Sequence, residues 1–143
     1  MTKAVEKSSA MTMHAEGTFD VKLTPQPEDK SEGLTLGRML LDKQFQGDMD
    51  AVSKGQMLTG MTAVQGSGAY VAIERVTGTL HGRRGSFILY HLGTMVRGAP
   101  ALNVTVVPDS GTGELVGIAG TMTIIISGGK HSYDLAYSLP QVH

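Results

Sequence analysis

YVAIERVTGTLHGRRGSFILYHLGTMVR, residues 70–97, is the stretch that decides the fold. In its first half the side chains alternate with a period of two: Tyr70, Ala72, Glu74 and Val76 fall on one face, Val71, Ile73 and Arg75 on the other. A second alternating run follows Gly82-Arg83-Arg84-Gly85, a glycine-flanked break of the kind that turns one strand back on the next. The stretch therefore reads as a hairpin of strands 70–81 and 86–97, with Arg83-Arg84 at a solvated turn tip.

The same punctuation runs outward in both directions. Residues 13–25 set Phe19, Val21 and Leu23 against Thr18, Asp20 and Lys22. Pro25-Gln26-Pro27-Glu28-Asp29-Lys30 reads as an exposed loop, since proline cannot donate to a ladder. Strands are predicted over 34–47 and 48–62, bending at Gly47-Asp48, and over 102–107, ending at Pro108-Asp109-Ser110-Gly111. The last two, 122–127 and 132–139, pair around Gly128-Gly129-Lys130. Gly66 to Ile73 resembles Gly111 to Ile118, which suggests one supersecondary unit used twice. No βαβ pattern and no Gly-Lys-Ser/Thr surrounds these Gly-x-Gly steps, so they are not phosphate loops. Eight meandering strands without a helical layer hide their apolar face as a sandwich or by closing, and closure also removes the edges. The expected fold is a single antiparallel eight-stranded all-β barrel, a size that is filled by side chains or holds one small ligand.

A chain of 143 residues with 41% hydrophobic residues suits one domain, here residues 14–140 between an arm over 1–13 and a tail over 141–143. A net charge of −1 gives no concentrated basic face for nucleic acid. Without cysteine there are no disulfides, thiolate nucleophiles or cysteine zinc sites, in keeping with a cytoplasmic setting. The first thirteen residues have no apolar core of a signal peptide or membrane span. Five histidines lack His-x-His or Glu-x-x-His spacing, so no metal and no cofactor is expected.

Long motifs carry a family resemblance. His14-Ala15-Glu16-Gly17-Thr18-Phe19, Leu41-Asp42-Lys43-Gln44-Phe45, the run 70–80, Gly85-Ser86-Phe87, the run 107–115 and Gly129-Lys130-His131-Ser132-Tyr133-Asp134 closely resemble the bacterial domain-of-unknown-function family 3224. That resemblance implies a relation in fold to allene oxide cyclases, calycin-like barrels of eight strands with a central apolar cavity. It carries no activity with it. Gln46, Val52, Tyr90, Leu92, Val96 and Ile125 are larger or more apolar than that pattern leads one to expect. Residues 86–96 become apolar on both faces, with Phe87, Leu89 and Met95 on one and Ile88, Tyr90, Leu92 and Val96 on the other. Burial on both faces points to a homo-oligomer; the alternative is an altered lumen, with the two faces reversed.

Alternation also sorts the ionisable residues. Lys43 shares a face with Met39, Leu41 and Phe45; His91 with Phe87 and Leu89; Glu74 with Tyr70, Ala72 and Val76; Tyr133 and Tyr137 with Leu135. If these faces line the lumen, polar groups sit inside an apolar cup. Burial raises a carboxylate's pKa and lowers those of lysine and histidine, which suits proton transfer. Glu74, His91 and Lys43 are the catalytic candidates; Tyr70, Phe45, Phe87, Leu89, Tyr133 and Tyr137 are the ligand-binding ones. The bland alternative is that Glu74 and Lys43 simply satisfy each other. The functional expectation is a barrel that binds a small apolar molecule, as a cofactor-free cyclase or isomerase. A non-catalytic carrier, or an oligomeric protein with a packed core, are the alternatives.

Overall fold

The computed structural model describes residues 11–140. The tail and most of the expected arm lie outside the described residues, and Met13 already belongs to a strand. The strands are β1 (Met13–Pro25), β2 (Asp29–Ser31), β3 (Leu34–Gly47), β4 (Met49–Met61), β5 (Gly68–Leu80), β6 (Arg83–Val96), β7 (Ala99–Val106), β8 (Ala119–Ser127) and β9 (Lys130–Ser138). From β2 to β9 each strand pairs with the next, and β1 pairs with both β9 and β3. Eight antiparallel strands therefore close into a barrel, and short β2 is an additional strand on β3. Among the described residues no helix is long and apolar enough to cross a membrane.

Three local expectations are corrected. The β5–β6 turn is His81-Gly82, with φ of 46° and 79°, and Leu80 pairs with Arg83. Two residues at positive φ match the twist of the flanking strands. Arg83 and Arg84 therefore join the ladder of β6 instead of forming the turn tip. The expected loop over Pro25–Lys30 is shorter, because Asp29–Ser31 turns at Glu32-Gly33 and pairs with β3. The two Gly-x-Gly copies are not one unit used twice. Gly68 leads straight into β5, whereas Gly113–Leu115 forms a 3-10 turn. That turn is anchored on β6, where Thr112 N–H donates to Ser86 O, and it lowers Leu115 into the barrel end as a plug.

The two halves of the lumen differ. At the end carrying the His81-Gly82 turn, Phe45, Met49, Leu80, Phe87, Leu115, Leu135 and Tyr137 are all buried and pack together. No water-sized space is left between Met49, Val76, Leu80, Phe87 and Leu115. The other end carries the Arg97-Gly98 and Gly128-Gly129 turns and, among the described residues, is not filled. There the inward positions Leu23, Met61, Met95, Leu102 and Ile126 stay exposed by 41–65%. The barrel is a cup, sealed below and open above.

Candidate functional site

Four strands place one polar cluster at the floor of that cup. Gly55 of β4 pairs with Glu74, which pairs in turn with Leu89 of β6; Lys43 of β3 pairs with Ser53 of β4. All four side chains in question point inward by the strand period, so Lys43, Ser53, Glu74 and His91 converge. Lys43 Nζ donates to Glu74 Oε2 at 2.8 Å, His91 Nε2 reaches the same oxygen at 2.5 Å, and Ser53 Oγ donates to Oε1 at 2.6 Å. Lys43 Nζ also lies 4.9 Å from the centre of the Phe19 ring, within cation–π range. His91 Nδ1 faces Tyr70 Oη at 3.4 Å.

This arrangement reverses the expected tuning of Glu74. Burial pushes its carboxyl up, but the His91 hydrogen bond, the Lys43 ammonium and the Ser53 hydroxyl outweigh it and bring it from 4.5 down to about 2. Glu74 is an ionised anchor and not a proton donor near neutral pH. Tyr70 moves the other way: burial, and then the Glu74 charge, raise its phenol above 10.0.

Above the floor, a cavity of about 420 Å³ is walled by Met57, Met61, Tyr70, Met95, Leu102 and Ile126, among others. Tyr70 is the one member of the polar chain in that wall; its ring lies against Gly93 of β6, where an added Cβ would collide with it. A larger hollow, about 780 Å³, lies on the outside of β4, β5 and β6, lined by Leu58, Val71, Ile73, Tyr90 and Leu92. His91 borders it as well, but both ring nitrogens of His91 are engaged by Glu74 and Tyr70. Among the described residues no three His, Cys, Asp or Glu side chains converge as metal ligands do.

The family model described as "Protein of unknown function (DUF3224)" matches residues 15–137. The chain belongs to this family. A DUF3224 protein of unknown function from Shewanella oneidensis MR-1, known from a crystal structure, is 48% identical; the match covers 92% of this chain and 100% of that one, with a TM-score of 0.87. No curated protein matches.

Of the residues singled out from sequence, Lys43, Glu74 and His91 meet at the floor, and Tyr70 joins them from the wall. Phe45, Phe87, Leu89, Tyr133 and Tyr137 lie in the packed half, each at most 2% exposed. Tyr133 Oη accepts from Met49 N–H at 3.0 Å and donates to Gln46 O at 2.9 Å, pinning the β3–β4 bend. Tyr137 Oη meets His81 Nδ1 at 2.5 Å and ties β9 to the β5–β6 turn. Ser53 and the rim residues Met57, Met61, Met95, Leu102 and Ile126 were not singled out. Their only sequence signal is that each occupies an inward position of its strand.

Proposed function

We propose that the open half of the barrel binds one small, uncharged, mainly apolar molecule. The observation that carries this reading is the contrast between the halves of one lumen. Inward apolar side chains of the packed core are at most 5% exposed at the closed end, and others are left 41–65% exposed at the open one. A cavity of about 420 Å³ with apolar walls and few polar groups is a common form of small-molecule site. Lys43 and Glu74 cancel each other beneath it, so a charged ligand finds no free counter-ion there. Equilibrium dialysis with naphthalene tests the reading. One molecule per chain is expected, with loss of binding when Leu102→Trp fills the mouth; no uptake up to the solubility limit contradicts it.

A cofactor-free cyclase or isomerase is the second reading, favoured by the Glu74–His91–Tyr70 chain. Tyr70 would accept a hydrogen bond from a substrate hydroxyl and hold the substrate in a folded pose, and His91 with Glu74 would position that phenol. Turnover lost in Tyr70→Phe with binding retained supports the enzyme; a compound bound and released unchanged supports the carrier.

We also propose that the outer hollow is covered by a second copy of the chain. Outward positions of β5 and β6 are largely uncharged, with Val71, Ile73, Tyr90, Leu92 and Val96 exposed by 39–60%. Depletion of charge together with exposed aliphatic and aromatic area is characteristic of a homodimer face.

A further inference from the structure

The polar chain has a direction, and the direction names a ligand class. We propose that the cup selects molecules bearing a hydroxyl group, an alcohol or phenol, over ethers and carbonyl compounds of the same shape, because Tyr70 presents an acceptor oxygen to it. This rests on the cup being a binding site.

The direction follows from the floor upward. Lys43 has only donors and points one at Glu74 Oε2; Ser53 Oγ donates to Oε1. The Glu74 carboxylate is then an acceptor only, so His91 Nε2 must carry the hydrogen it shares with Oε2. A second hydrogen, on Nδ1, would put another positive charge beside Lys43 against one carboxylate, in a site where the His91 side chain is 3% exposed. Nδ1 therefore holds a lone pair, and Tyr70 Oη at 3.4 Å donates to it. With its hydrogen committed to His91, the phenol keeps oxygen lone pairs for a ligand in the cup whose wall Tyr70 forms. A ligand hydroxyl completes the chain by donating to Tyr70. A ligand carbonyl gains a bond only if Tyr70 turns its hydrogen away and leaves buried Nδ1 without a partner, which offsets the gain.

Naphthalene, 2-naphthol, 2-methoxynaphthalene and 2-acetylnaphthalene share one apolar body and test this directly. With the wild-type chain, 2-naphthol is expected to bind about two- to tenfold more tightly than the other three, the value of one net hydrogen bond. Tyr70→Phe should erase that preference while leaving naphthalene affinity within about twofold, since only the oxygen is lost. Equal binding of naphthol and naphthalene, a preference for the ketone, or a naphthol preference that survives Tyr70→Phe overturns the inference and leaves the cup standing. If none of the four binds, the cup reading falls and the inference with it.

Discussion

Glu74 holds the floor together, and its removal separates the possible reasons why. Replacing it with glutamine leaves the Lys43 ammonium buried without its counter-charge, a change expected to cost about 3–5 kcal/mol in denaturant unfolding. Lys43→Met combined with Glu74→Gln should recover much of that loss, because the penalty belongs to the unpaired charge and not to the missing bond. Acid provides a second test. The folded-state pKa of Glu74 is about 2 against its ordinary 4.5, so its contribution is complete above the higher value and fades as pH falls towards the lower. Wild-type stability should drop by on the order of 3 kcal/mol across that window, and Glu74→Gln should lack this component of the drop. Lys43, Glu74 and His91 were legible in the sequence because each interrupts an apolar strand face. The direction of the Glu74 shift was not, since it depends on partners 17 and 31 residues away. Ser53 was invisible for a different reason: a small polar residue carries no signal of which face is buried.

At the level of elements, period-two alternation placed strands 13–25 and 34–47 with the ends the structure gives them. Turns were read less well. Glycine marked where the chain reverses, but in His81-Gly82 the left-handed pair starts one residue before the glycine. The arginines that follow were displaced into β6 as a result. Similar letters in the Gly111 to Ile118 segment concealed a 3-10 turn, because nothing local signals that Leu115 will plug a barrel end. The β5–β6 hairpin also fixes the Tyr70 ring over Gly93. Gly93→Ala should force that ring aside, costing about 1–3 kcal/mol of stability as overpacking does. The naphthol preference should disappear with it. An unchanged preference in Gly93→Ala would mean that the hairpin does not position the phenol.

For the whole molecule, closure through the β1–β3 pairing accounts for both the packed end and the empty one: a single lumen is filled from below by core side chains and the Leu115 plug, and left open above. Closure was within reach of the sequence, whereas the division into halves was not, because inward positions look alike along a strand whether or not anything packs against them. Outside, a dimer is expected by light scattering, reduced to a monomer by Ile73→Lys with Tyr90→Lys; a wild-type monomer at high concentration removes that interface. The methionines of the cup report on its occupancy. Met57, Met61 and Met95 line the cavity, while Met49 and Met122 are buried in the packed core. With methyl-labelled methionine, NMR titration with naphthalene should shift the first three resonances in a single saturable process and leave the other two in place. Saturable shifts confined to Met49 and Met122, or no shifts at all, would contradict binding in the cup.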